Sequence, residues 1–142
     1  MKKIVTKNEK ETFDFAKEYL KTLKGGDIVG LVGNLGAGKT VFSKGIASGL
    51  GIKEEITSPT FVYMKIYDVN NHSTIKKLCH IDAYRIEDEH IIVNIGALEY
   101  FNNPNVLTII EWVDKVMDSV KKNVILVNLS VSGDDRIIKY NY

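Results

Sequence analysis

The chain has 142 residues, 44% hydrophobic and 26% charged, which fits one soluble domain around a single core and leaves too little chain for two. Nineteen basic and eighteen acidic residues leave a net charge of +1, which excludes a strong whole-chain pull toward nucleic acid or membrane. No apolar run is long enough to span a membrane, no signal-peptide pattern follows Met1, and the lone Cys79 excludes an internal disulfide or a cysteine-based zinc site; a cytoplasmic protein is expected.

Ile4-Val5-Thr6 reads as a short first strand. Asn8 or Thr6 is placed to cap a helix from about Glu9 to Lys24, with Phe13, Ala16, Tyr19, Leu20 and Leu23 on its apolar face. Gly25-Gly26 ends it, and Asp27 to Val32 follows as a short buried strand. That strand runs straight into Gly33-Asn34-Leu35-Gly36-Ala37-Gly38-Lys39-Thr40, which spells G-x-x-x-x-G-K-[ST]. Thr40 opens a helix reaching Leu50, where Phe42, Ile46 and Leu50 share one stripe and Gly51 is a C-cap. Ile52 to Thr60 is a polar connection. Phe61 to Val69 and Thr74 to Asp82 predict an antiparallel hairpin around Asn70-Asn71-His72-Ser73. Ile86 to Phe101 predicts a helix in two pieces, broken near Gly96. After the turn Asn102 to Asn105, Val106 to Ile110 is an apolar strand that ends at Glu111. Trp112 to Val120 predicts a short helix, and Val124 to Val131 and Arg136 to Tyr140 predict two last strands around Ser132-Gly133-Asp134-Asp135. The expected fold class is α/β: a single phosphate-loop NTPase-like domain over residues 1–142, with a mixed β-sheet flanked by helices and additional antiparallel strands.

The glycine-rich loop carries the chemistry. Its glycines let successive backbone N–H groups turn inward around a phosphate, and the following helix adds the positive end of its dipole. Gly33, Asn34, Leu35, Gly36, Ala37, Gly38, Lys39, Thr40 and Val41 are therefore the expected nucleotide-binding residues. Lys39 reaches the β- and γ-phosphates, and the Thr40 hydroxyl suits a magnesium ion. Hydrolysis also needs a carboxylate beside the metal and a group that orients water. Two apolar strands end in acids, Glu111 and Asp82. The purer apolar run precedes Glu111, so Glu111 is the expected second metal contact and Asp82 the group that orients or activates water. On a strand, His80, Asp82 and Tyr84 would share one face. The simplest expectation for His80 is a buried ring bonded to backbone. Trp112 is placed for packing or as a wall beside the nucleotide. Lys10 and Thr12, at the start of the first helix, are the groups named toward the base. Ser58-Pro59-Thr60 lies where several phosphate-loop enzymes carry a switch threonine.

The loop, Ser58-Pro59-Thr60-Phe61, His80-Ile81-Asp82-Ala83-Tyr84-Arg85 and Glu111-Trp112 occur in that order, and together they resemble the bacterial TsaE (YjeE) family. These are small ATPases needed to make threonylcarbamoyladenosine in tRNA. The resemblance runs from about Ile4 to Val131. It implies ATP as ligand, Mg2+ held by Thr40 and Glu111, an important Asp82, and the TsaB and TsaD proteins as partners, with tRNA met only through that complex. Seventeen of the nineteen basic residues are lysines, so Arg85 and Arg136 are the only internal arginines for transition-state charge. That scarcity suits an ATPase slow alone and completed by another chain. A small-molecule kinase and a nucleotide-sensing adaptor without turnover are the alternatives. The kinase would need an arginine-rich lid, which the sequence does not offer. No Asn-Lys-x-Asp guanine signature is present.

Overall fold

In a computed structural model, described for residues 1–57, 63–120 and 122–141, seven strands form one sheet in the order β1-β7-β6-β2-β5-β4-β3. The strands are β1 (Lys2–Thr6), β2 (Ile28–Val32), β3 (Met64–Asp68), β4 (Lys77–Asp82), β5 (Val106–Glu111), β6 (Ile125–Ser132) and β7 (Asp135–Tyr140). The four in the middle, β6, β2, β5 and β4, run parallel to one another. β3 adds antiparallel to β4 on one side, and β7 and β1 extend the other side by antiparallel pairing. The mixed α/β class read from the sequence is the one observed.

All six residues of β5 are buried, the signature of a strand covered on both faces. One face packs under α1 (Glu9–Tyr19) and α2 (Lys39–Gly49), where Ala16, Phe42, Ile46, Leu107 and Ile109 share a cluster. The other face is covered by α3 (Ile91–Asn94), α4 (Ala97–Phe101) and α5 (Met117–Val120), with Ile81, Ile92, Phe101 and Ile110 in its core. Cys79 is fully buried there, and burial pushes its thiol up to about 12, so it behaves as a small apolar residue.

Several element ends differ from the sequence reading for local reasons. The Asn8 side chain accepts from the Glu11 amide and starts α1, as read. The helix ends at Tyr19 in a 3-10 turn over Leu20–Thr22 rather than at Lys24. The Thr22 hydroxyl bonds the Tyr19 carbonyl and competes with continuation. Tyr63 has φ 60°, so β3 begins at Met64; the predicted Phe61 and the Ser58-Pro59-Thr60 segment lie outside the described residues. The ring of His72 accepts from the Thr74 and Ile75 amides, which holds the turn open until Lys77. Asp88 accepts from the His90 amide, and that turn delays the expected helix from Ile86 to Ile91. Among the described residues, no helix is long and apolar enough to cross a membrane.

Candidate functional site

Three neighbouring parallel strands bring their carboxyl ends to one row. Leu31 of β2 stands beside Glu111 of β5, and Glu111 beside Asp82 of β4. The chain leaves β2 into the glycine-rich loop, which therefore lies next to both acids. A cleft at the carboxyl edge of a parallel sheet is the usual ligand position in such folds. Here it has a volume of about 340 Å³ and is lined by Leu35, Gly36, Gly38, Lys39, Thr40 and Val41 from the loop and helix start. Asp82, Tyr84, Arg85, Glu111 and Trp112 line the facing wall, with Glu9 and Tyr63 at the margins.

Two glycines let the loop turn tightly, one for want of space and one for its backbone conformation. A Cβ on Gly33 would lie 2.4 Å from the Leu129 carbonyl oxygen, and Gly38 has φ 103°. Gly38 is the N-cap of α2 and, as a glycine, supplies no side-chain cap of its own. The start of α2 thus faces the loop, the end of a helix that suits an anion. Ala37 is buried as the loop's anchor, while Leu35 at its tip is 72% exposed.

Lys39 is 5% exposed and bonds the loop it belongs to. Its Nζ donates to the Gly33 carbonyl at 2.6 Å and the Asn34 carbonyl at 2.9 Å. It also stands 4.0 Å from the centre of the Trp112 ring. Burial lowers the lysine's pKa from the ordinary range, while Glu111, Asp82 and Asp114 pull it back up. Trp112 reaches that position through a left-handed backbone, φ 61°, and its amide donates to the Leu31 carbonyl at 3.0 Å. A left-handed tryptophan costs about 1–2 kcal/mol, so surrounding contacts hold it there. Its ring also lies 4.9 Å from that of Tyr84.

Glu111 is the most heavily bonded acid in the cleft, at 2% exposure. Thr40 Oγ1 donates to its Oε1 at 3.0 Å; Ser43 Oγ lies 3.1 Å and His80 Nε2 2.5 Å from its Oε2. Thr40 and Ser43 are three apart on α2, which puts both hydroxyls on the face toward β5. His80 is buried as expected, but its partner is this carboxylate, not backbone. Asp82 Oδ1 accepts from the Tyr84 amide at 2.9 Å. Tyr84 stands beyond the end of β4 in an exposed turn, so it does not continue the strand face shared by His80 and Asp82. Arg85 lines the cleft without an ion pair to Asp82 among the described residues.

A smaller hollow of about 150 Å³ adjoins the loop, between Asn8, Glu9 and Thr12 of the α1 start and Asp134 and Arg136 of the β6–β7 turn. Arg136 Nε donates to the Gly36 carbonyl at 3.2 Å and ties that turn to the loop. Thr12 lines the hollow, its hydroxyl paired with Thr6 at 2.7 Å, while Lys10 pairs with Asp14 on the exposed side of α1. Sequence reasoning missed Ser43, and it named Arg136 without its tie to the loop. The first had a signal, the three-residue spacing from Thr40; the second is brought to the loop only by strand pairing.

The carboxyl-edge cleft, the glycine loop and the parallel core define a class of protein: a phosphate-loop NTPase-like α/β fold. Within that class the comparisons are specific. The model of the family described as "Threonylcarbamoyl adenosine biosynthesis protein TsaE" matches residues 6–138, and the chain belongs to this family. A relative from Bacillus subtilis (strain 168), named "tRNA threonylcarbamoyladenosine biosynthesis protein TsaE", is 38% identical over 130 residues, covering 92% of this chain and 78% of the relative. A protein of the same name from Treponema pallidum (strain Nichols) is 36% identical, with 92% of each chain covered. The crystal structure of Bacillus subtilis YdiB superimposes with a TM-score of 0.78 at 32% identity, covering 98% of this chain and 83% of that one. The resemblance carried by the loop, the His80–Arg85 cluster and Glu111-Trp112 is thereby established.

Proposed function

We propose that this chain is a magnesium-dependent ATPase that serves threonylcarbamoyladenosine formation in tRNA, acting in the cytoplasm with the TsaB and TsaD proteins. The family role comes with membership. The observation that carries the ATPase reading is the convergence of Lys39, Thr40, Glu111 and Asp82 in one cleft beside the glycine-led start of α2.

The donor set fits magnesium. Thr40 Oγ1 and Glu111 Oε1 are hard oxygen atoms 3.0 Å apart, and an ion that keeps its own waters and takes oxygens from substrate phosphates needs only one or two protein ligands. Bound there with nucleotide, magnesium would offset charge on the β- and γ-phosphates. The loop amides and Lys39 hold those phosphates in register, which requires Lys39 to exchange the Gly33 and Asn34 carbonyls for phosphate oxygens. Asp82, on the same wall, orients the water whose oxygen attacks the γ-phosphorus as the bond to the ADP oxygen breaks. Trp112 closes the phosphate end against solvent. The hollow beside Thr12 accepts the nucleoside end because it opens from the same loop residues, Gly36, Gly38 and Val41.

Arg85 stands exposed at the rim as the single arginine lining the cleft, so most of the transition-state charge is left for a partner to meet. An arginine supplied in trans contributes about 10³–10⁵ in rate. The near-neutral chain offers no strong field for direct tRNA binding, which fits contact through the complex.

The test is phosphate release from MgATP by the purified chain, alone and with the TsaB–TsaD pair. A large stimulation, absent in Lys39→Ala, is expected. Equal rates with and without the pair, despite confirmed ATP binding, would return the kinase and adaptor readings to the front. Lys39→Ala itself should lose nucleotide binding, and wild-type ATP affinity in that variant overturns the phosphate-loop reading.

A further inference from the structure

The two oxygens of the Glu111 carboxylate keep different company. Oε1 meets the hydroxyl of Thr40, a residue of the cleft wall. Oε2 is taken by Ser43 Oγ and His80 Nε2, and neither of those residues lines the cleft. We infer that Ser43 and His80 are positioning residues. They immobilise Oε2 so that Oε1 stays paired with the Thr40 hydroxyl as the two protein oxygens offered to a divalent cation. This inference rests on the nucleotide reading and extends it to two residues which that reading does not use.

The direction of the bonds follows from chemistry. An ionised carboxylate only accepts, so His80 Nε2 carries the proton and donates it at 2.5 Å. Its Nδ1 has no partner among the described residues, and as the bare nitrogen it has no proton to place. The Ser43 hydroxyl lies 3.0 Å from the Lys39 carbonyl and 3.1 Å from Oε2, and its one proton is shared between them. A free carboxylate turns easily about its last torsion. Held by a helix side chain on one flank and a strand side chain on the other, this one does not.

The cost of the arrangement points the same way. His80 is fully buried in a strand whose neighbours Leu78, Cys79 and Ile81 are apolar. Burying an imidazole there is unfavourable unless a specific bond repays it, and its bond among the described residues is to Glu111. A residue that breaks the local apolar pattern this way is expected at a functional site.

Groups that orient a ligating carboxylate contribute about 10–100-fold to metal affinity when removed singly. The experiment is calorimetric titration of ADP into the purified chain in EDTA and across a magnesium series. His80→Leu, His80→Gln and Ser43→Ala are compared with wild type. Metal-free ADP affinity should be unchanged in all three. The magnesium concentration for half-maximal tight binding should rise about 10–100-fold in His80→Leu, and less in Ser43→Ala. In His80→Gln it should return toward wild type, because the glutamine amide donates from near the Nε2 position. Two results overturn the inference: an unchanged magnesium requirement in Ser43→Ala, or His80→Gln behaving no better than His80→Leu. Should His80→Leu fail to fold, His80→Gln and Ser43→Ala decide the matter, since the first must keep the wild-type requirement and the second must raise it. Wild-type protein that binds no ADP with or without magnesium would overturn the nucleotide reading and this inference with it.

Discussion

Lys39 is bonded to the Gly33 and Asn34 carbonyls and lies over Trp112, so on the proposed reading a triphosphate would have to displace three existing contacts. Because Trp112 is the chain's single tryptophan, that exchange has a built-in reporter. Titrating ADP should change the intrinsic emission of wild type and leave Lys39→Ala flat; an unresponsive wild type that nonetheless binds ADP would mean that Lys39 stays where it is. Asp82 belongs to the same scale. Its Oδ1 takes the Tyr84 amide, and none of the acid's described bonds tie it to the loop. Asp82→Ala should therefore retain ATP and hydrolyse it at least about 100-fold more slowly, the range for a lost acid–base group, as read by single-turnover phosphate release. The loop and the two strand-end acids were legible because each is announced locally, by glycine spacing or by an apolar run that stops at a carboxylate. Ser43 and the tie of Arg136 to the loop were not. A serine inside a helix carries no pattern beyond its three-residue distance from Thr40, and Arg136 meets Gly36 only through the pairing of β6 with β7.

At the scale of elements, the site depends on how closely α2 lies on α1. A Cβ added at Gly45 would stand 2.4 Å from the Phe13 carbonyl oxygen and 2.7 Å from the Ala16 Cβ, and that carbonyl belongs to a helix backbone that does not yield. Alanine in a helix interior is worth about 1 kcal/mol over glycine. Overpacking against backbone costs about 1–3 kcal/mol, so the steric term wins. Gly45→Ala should lower the urea midpoint while Gly49→Ala costs less, because the atom nearest its new Cβ is the flexible Leu20 Cδ2 at 2.6 Å. Equal midpoints for the two variants would show that the helices part freely. Periodicity located both helices, since Phe42, Ile46 and Leu50 repeat on one stripe and all three are buried. It overran where a side chain bonded the backbone early, as at Thr22, His72 and Asp88. Such bonds compete with regular structure and leave the apolar pattern untouched. It also overran where the backbone turned left-handed, as at Tyr63 and at Trp112, so that the expected helix from Trp112 is a 3-10 turn over Val113–Lys115 followed by α5. Hairpin pairing of β3 with β4 came from the alternation and the Asn70–Ser73 turn; the pairing of β1 with β7 joins the two ends of the chain and has no local signal.

For the whole molecule, that closure of the two ends sets a pH limit. The Tyr19 hydroxyl donates to the Asn141 carbonyl at 2.5 Å, and its ring packs with Phe15, Phe42 and Tyr140, joining α1, α2 and β7. Burial, then the Asp27 carboxylate and Tyr140, raises the phenol from 10.0 to about 12. The folded pKa lies above the unfolded one, so the stabilisation is complete below pH 10 and is lost as pH climbs through the folded value near 12. Two units correspond to about 2–3 kcal/mol, a large share of the stability of an ordinary domain. Tyr19→Phe removes this linkage together with the hydrogen bond. The variant should be about 1 kcal/mol less stable at neutral pH, from the lost bond. Its stability should then fall less steeply than that of wild type above pH 10, so that the two curves converge and then cross. Urea midpoints measured at intervals from pH 7 to pH 11.5 read both effects. Parallel curves over the alkaline range would show that Tyr19 ionises as easily folded as unfolded, and that the tie to Asn141 does not hold the C-terminal end against the sheet.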